Sequence, residues 1–314
     1  MLGVLGGIAR YGRFVLVVGL VAGLVLPSVA SALRPWLSEL VLLLLFLTAF
    51  RVGLPSALDG LSQFRNTLGV VLVYQLAMPL ICIAMFALFG LAHSPVAIAL
   101  TLMLSAPSVT ASPNMSVLLG QAPEPAFRLL ILSTLILPLT IIPIFWVSPA
   151  LGNLSEAVYA ALRLGLTISA TIAVAFTLRA LFRPDMGPHE LQALDGLTSL
   201  ALVVIVIGLM SAVAPALSTA PWSLAKWFLV AMVANLGLQV VAYVGLRRFG
   251  NEDSAAPMAL VAGNRNVALF LVASSATQTD EFLLFLGCYQ FPMYLTPILM
   301  RPLMGHKTGA KKAG

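Results

Sequence analysis

Apolar residues fall into ten long runs along this chain, and short polar segments separate them. Each run has roughly the 20 residues that an α-helix needs to cross the hydrocarbon core of a bilayer. A backbone in contact with lipid must satisfy its own hydrogen bonds, so we interpret all ten runs as helices. The predicted spans are residues 14–33, 36–54, 67–90, 95–120, 128–147, 158–181, 197–214, 225–246, 255–275 and 282–303.

The composition excludes a soluble globular domain. Of the 314 residues, 60% are hydrophobic and 9% are charged, and the mean hydropathy is +1.03. The formal net charge of +6 arises from basic residues that lie singly or in pairs at span ends, which indicates membrane topology and not nucleic-acid binding. Cys82 and Cys288 fall inside apolar runs and predict packed thiols, with no disulfide framework.

The basic residues are distributed unequally between the two sides of the predicted membrane. The richer side holds Arg10, Arg13, Arg51, Arg65, Arg128, Arg179, Arg183, Arg247, Arg248, Arg301, Lys307, Lys311 and Lys312. The other side holds Arg34 and Lys226, with Arg163 as a possible third. The positive-inside bias therefore predicts cytoplasmic termini, and we expect a bacterial inner membrane. The first run also imitates a secretory signal, but it extends to roughly span length, so we interpret it as a span.

Two spans are interrupted by polar residues, at 105–114 and 261–270. They are the fourth and the ninth, which is the same place in each half if the chain is two five-span halves. An odd number of spans per half inverts one half relative to the other. Pro107, Pro113 and Gly263 are the predicted helix-breaking residues.

Arg265 lies in the middle of the ninth span, about ten residues from either end, which is about 15 Å along a helix. A charge at that depth is expensive and usually functional. All eleven acidic residues fall in loops or near span ends. The remaining partners are carbonyls freed by the broken helices, the side chains of Gln75, Asn114 and Asn266, or an external anion. We favour a substrate carboxylate or sulfonate over a purely structural role, since guanidinium suits planar anions.

Other polar residues near the breaks complete the predicted site. The predicted substrate-binding residues are Arg265, Asn266, Asn264, Thr110, Ser112, Asn114 and Thr296. For any one Ser or Thr, a hydrogen bond back to its own helix is the commoner arrangement. The three histidines lie in loops or the tail, so we expect no proton coupling through the protein. Neither a metal site, a cofactor nor an enzyme is predicted, and no protein partner is implied.

Taken together, these features resemble the bile acid:sodium symporter family. The resemblance covers nearly the whole chain. Its motifs are Gln75 followed by Met78 and Pro79, the AP…TAS segment in span four, the run Ser133, Thr134, Leu135 and Pro138, and Gly263 with Asn266.

The family fold implies two groups of helices. A core of residues 67–147 and 225–303 would contain broken spans four and nine, which cross each other. A panel of residues 14–54 and 158–214 would pack on that core, and 304–314 would form a cytoplasmic tail. Substrate would bind between core and panel and be exposed to each side in turn.

The sequence departs from the family at its sodium sites. Val261 stands in place of a glutamate and Arg265 in place of a glutamine. Pro113 stands where a sodium-binding asparagine is expected, and Ala126 and Leu130 replace hydroxyl ligands. Gln75 and Ser112 are the sodium-site remnants.

These changes make the region about two charge units more positive, which opposes sodium binding. The resemblance therefore implies a secondary transporter of a small organic anion that does not strictly require sodium. In it, Arg265 replaces the ion or binds substrate. A sodium-coupled symporter with rearranged ligands and a non-transporting sensor are the alternatives.

Overall fold

The chain is mostly α-helical in the part that the computed structural model describes, which is residue 7 and residues 12–61, 64–148, 154–249, 252–272 and 279–305. The helices of the first half are α1 Gly12–Val25, α2 Pro27–Leu33, α3 Leu37–Gly60, α4 Phe64–Leu72, α5 Met78–Leu88, α6 Pro95–Ser105, α7 Ser112–Leu118 and α8 Glu124–Val147. Those of the second half are α9 Leu154–Phe182, α10 Pro188–Thr219, α11 Pro221–Phe249, α12 Glu252–Gly263, α13 Asp280–Leu299 and α14 Arg301–Met304.

Seven helical segments are long and apolar enough to cross a bilayer, so the chain is an integral membrane protein. These segments are 27–60, 64–88, 124–147, 158–182, 188–219, 221–249 and 280–299. They correspond to predicted spans two, three, five, six, seven, eight and ten, and the first segment also covers residues 27–33 of span one. Spans four and nine consist of shorter helices on either side of their breaks, and the first predicted span covers most of the 14-residue helix α1 together with α2. Neither a full count of ten nor an inverted repeat follows from these helices.

Helix ends differ most from the prediction at span seven. The prediction began at residue 197, where the apolar run begins, but α10 begins nine residues earlier at Pro188. Glu190 bonds the backbone N–H of Gly187 at 3.0 Å and so stabilises this polar first turn. Asp195 therefore lies inside a helix.

Helix α10 contacts helices from both the beginning and the end of the chain. It packs against α1, α2 and α3 on one side and also against α13. Helix α9 packs against α3 and α8, and α11 packs against α12 and α13. The buried apolar side chains form one connected cluster that extends from Leu20 to Met304. Burial of this cluster brings the two broken spans together with the helices around them.

A kink in α3 occurs at Gly53, whose φ of 69° lies in the left-handed region that favours glycine. The kink frees backbone carbonyls in the preceding turn. Arg179 of α9 donates its Nη1 to the carbonyls of Phe50 at 2.8 Å and of Arg51 at 2.5 Å. This contact fixes α9 against the bent part of α3.

Candidate functional site

The two helix breaks are paired with each other. Ser108 and Arg265 form an isolated antiparallel bridge. The N–H of Val109 donates to the carbonyl of Asn264 at 3.1 Å, and the N–H of Asn266 donates to the carbonyl of Pro107 at 2.8 Å. Backbone groups that lost their helical partners thus bond across the break, as a buried backbone requires. We call this paired region, residues 106–111 and 264–266, the crossover.

The three predicted helix-breaking residues have different roles. Pro107 lies within the first break, where it supplies a carbonyl and has no N–H to satisfy. Gly263 ends α12 in close contact with α11, because a Cβ there would lie 2.0 Å from the carbonyl oxygen of Asn235. Pro113 is in the first turn of α7, where its missing N–H removes no helical hydrogen bond. It therefore starts the second half-helix and does not interrupt one.

The guanidinium of Arg265 is enclosed by backbone carbonyls. Its Nε donates to Ala262 at 3.0 Å, its Nη1 to Ala106 at 3.1 Å and its Nη2 to Tyr74 at 3.4 Å. The same guanidinium lies 4.9 Å from the centre of the Tyr74 ring. Only 1% of Arg265 is exposed. Each nitrogen of the guanidinium therefore has an acceptor in the protein.

Two helix ends compensate the buried charge. Ala262 is in the last turn of α12, and Ala106 follows the last residue of α6. Each helix C-terminus carries about half a negative charge, so two of them roughly balance one guanidinium. Ion pairs in the described residues are Arg34–Asp280, Arg51–Asp195, Arg183–Glu190 and Arg247–Glu252. Arg265 is thus held without a carboxylate.

A π-helical turn, Val73–Ala77, lies between α4 and α5 beside the crossover. It provides the Tyr74 carbonyl that Arg265 binds and also carries Gln75, which is fully buried. Gln75 donates from Nε2 to the carbonyls of Ser105 at 3.4 Å and Ser133 at 3.1 Å. Its Oε1 is buried and has no hydrogen-bond partner among the described residues. The other predicted sodium-site remnant, Ser112, accepts a hydrogen bond from the hydroxyl of Ser108 at 2.9 Å.

A polar network from α11 and α13 supports the far side of the crossover. Asn235 donates to the carbonyl of Gly263 at 2.7 Å and to Oδ1 of Asn264 at 3.1 Å. Thr296 donates to the same Oδ1 at 3.3 Å and accepts from Gln239 at 3.1 Å. Asn264 and Thr296, both predicted to bind substrate, are fully buried in this network.

Tyr289 was not among the predicted site residues, although it contacts the crossover directly. Its hydroxyl donates to the carbonyl of Gly263 and accepts from the N–H of Arg265 at 2.8 Å. The signal in the sequence is a tyrosine in the middle of an apolar span, which often marks helix contacts. The distance in sequence to Arg265 gave no reason to connect the two.

A cavity of about 690 Å³ lies beside the crossover. Helices α1, α3, α7, α8, α10 and α13 line it, mostly with apolar side chains. Thr110 and Asn114, both predicted to bind substrate, are in its wall. Arg51, Asp195, Thr198 and Tyr294 also line it and were not predicted. Two smaller spaces of about 50 and 30 Å³ adjoin Thr110 and Asn266, and the smaller one also reaches Arg265.

The cavity occupies one end of the helices. In α13 its lining runs from Phe291 to Ile298, whereas Asp280 begins the helix about 27 Å from Ile298. At that other end, Asp280 pairs with Arg34. Ser38 of α3 donates to the carbonyl of Leu271 at 2.9 Å, so α3 contacts the segment that follows the second helix break.

Comparison with known proteins adds no family to this description, since no family model and no curated protein matches the chain. The class that the structure defines is an α-helical integral membrane protein with two paired helix breaks.

Proposed function

We propose that this protein is a secondary carrier that moves a small organic anion by alternating access, on the bile acid:sodium symporter fold. The substrate binds in the cavity, where Thr110 and Asn114 present polar groups, and Asn266 lines the two smaller spaces that also adjoin Thr110. Arg265 replaces a sodium ion at the crossover. We further propose the two inverted five-span halves, a core and a panel, and the cytoplasmic orientation of both termini.

The observation that carries this proposal is the cavity, which lies at one end of the helices and reaches the crossover of two broken helices. Broken helices that meet in mid-membrane form the binding sites of many secondary transporters. At the opposite end, the contacts of Arg34 with Asp280 and of Ser38 with Leu271 join the same groups of helices. This arrangement is what one half of an alternating-access cycle requires, and in the proposed orientation the cavity faces the cytoplasm.

Burial of Arg265 favours the role of ion replacement over that of substrate ligand. All three guanidinium nitrogens already have carbonyl acceptors. A sodium ion about 4 Å from this charge would be repelled by about 4 kcal/mol at an effective dielectric constant of about 20. That repulsion corresponds to a loss of about a thousandfold in affinity. Transport therefore proceeds without sodium.

Uptake into proteoliposomes tests this function. Purified protein is reconstituted, and entry of radiolabelled carboxylates and sulfonates is measured with an inward sodium gradient or with potassium in its place. We expect saturable uptake that is the same in both salts and is accelerated by the unlabelled anion inside. A steep sodium requirement would support the sodium-coupled alternative. Saturable binding without flux would support the sensor.

A further inference from the structure

The cavity contains an ion pair that the proposed function does not use. Arg51 of α3 donates from Nε to Oδ1 of Asp195 of α10, and from Nη2 to Oδ2 at 3.0 Å. Both residues line the cavity, and their side chains are 38% and 31% exposed. The pair is the two-pronged arrangement in which an arginine binds a planar carboxylate.

The kink in α3 holds Arg51 in position. Gly53 bends the helix, and Arg179 donates to the carbonyls of Phe50 and Arg51 itself. The backbone that carries the Arg51 side chain is therefore held by hydrogen bonds from α9. A ligand that meets this guanidinium binds to a prepared group, which lowers the entropy lost on binding.

Two hydroxyls of residues that line the cavity have no hydrogen-bond partner in the part of the chain that the structure describes. Thr198 Oγ1 on α10 and Tyr294 Oη on α13 are buried oxygens without a hydrogen-bond partner among the described residues, and both residues line the cavity. A buried hydroxyl left unpaired is destabilising, because it has lost its hydrogen bonds to water without replacing them. A ligand with polar atoms at this end of the cavity would recover that energy. Most of the remaining lining is apolar, including Leu20, Leu24 and Leu202.

We propose that Arg51 is the anion-binding residue of the cavity and that Asp195 occupies its guanidinium only while the cavity is empty. This inference rests on the proposed function and assigns the contact of its substrate. The ligand carboxylate takes the place of the Asp195 carboxylate on Nε and Nη2 of Arg51. The apolar part of the ligand then lies along α1 and α10. Selectivity for anions thus arises at Arg51, away from the buried Arg265.

Binding of 1-naphthoate and its uncharged analogue 1-naphthalenemethanol tests the exchange, with dissociation constants measured by calorimetry on the purified protein. Asp195→Asn frees Arg51, so naphthoate should bind about tenfold more tightly. Arg51→Gln should weaken the binding of naphthoate by about tenfold or more and leave the dissociation constant of the alcohol unchanged. The double variant Arg51→Gln/Asp195→Asn removes both charges together, and it should bind the two probes equally even if the single Arg51 variant folds poorly.

Arg247→Gln and Glu252→Gln are matched controls, since they alter an exposed ion pair that does not line the cavity. Both should bind naphthoate as the wild type does. If the Arg51 variants also bind naphthoate as the wild type does, the exchange is refuted. Should Leu202→Trp, which fills the cavity, still abolish that binding, the proposed function survives. An absence of naphthoate binding in every form contradicts both proposals.

Discussion

Replacing Arg265 with methionine tests whether its guanidinium holds the crossover together. Methionine is similar in length but donates no hydrogen bond. The change leaves the carbonyls of Ala262, Ala106 and Tyr74 buried without their donor. At about 1–3 kcal/mol for each unpaired group, the loss totals about 3–9 kcal/mol. The wild-type charge is itself expensive to bury, so its removal offsets part of this loss, and we expect about 3 kcal/mol.

A loss of this size should lower the midpoint of thermal unfolding by roughly 6 °C. The assay is thermal unfolding of purified protein in detergent, in sodium, potassium or N-methylglucamine chloride. Three inward carbonyls without a guanidinium form a site for a small cation, so sodium should raise the midpoint of Arg265→Met and leave the wild type unchanged. Arg265→Lys keeps the charge, and its unfolding midpoint should lie between those of the wild type and Arg265→Met. An Arg265→Met protein that melts at the wild-type temperature and ignores sodium would refute the reasoning.

Three other substitutions test individual parts of the structure by the same unfolding assay. Gly53→Ala should destabilise the protein by about 1–3 kcal/mol, because φ is positive and the new Cβ would lie 3.1 Å from Nε of Arg179. The control Gly69→Ala places its Cβ in open space and should be neutral or stabilising. Equal effects of the two substitutions would contradict the strained kink. Gly263→Ala should prevent normal folding because of the 2.0 Å contact with the Asn235 carbonyl, and a well-folded variant would show that α11 and α12 pack differently. Asn235→Leu removes the hydrogen bonds to Gly263 and Asn264 and should cost about 2 kcal/mol or more, whereas an unchanged midpoint would argue against the network.

The sequence predicted where the chain breaks better than what the breaks contact. Pro107 and Gly263 mark the crossover because their backbone chemistry is local. For Arg265 the sequence favoured a substrate anion and left carbonyls and amides as the other acceptors, because backbone carbonyls carry no residue-specific signal. One of these carbonyls, that of Tyr74, lies in a π-helical turn, Val73–Ala77, that no pattern in the sequence indicated.

Asp195 shows a second limit of the sequence pattern. An apolar run reports which residues avoid water and does not report where a helix begins. The sequence pattern placed this carboxylate outside the span or near its end. Because α10 extends beyond its apolar run, the carboxylate lies instead in the cavity wall beside Arg51. The same pattern hid the kink at Gly53, because a bend with its carbonyls satisfied by Arg179 leaves hydropathy unchanged.

An interior cation that is part of the polypeptide differs from a dissolved one in a simple way, which is that it never leaves. The guanidinium of Arg265 therefore occupies the crossover at every salt concentration, and the crossover has no cation-free form. In the carrier that we propose, no work is drawn from a salt gradient at this position. Net movement in that proposal follows the electrochemical gradient of the anion, or of whatever is exchanged for it.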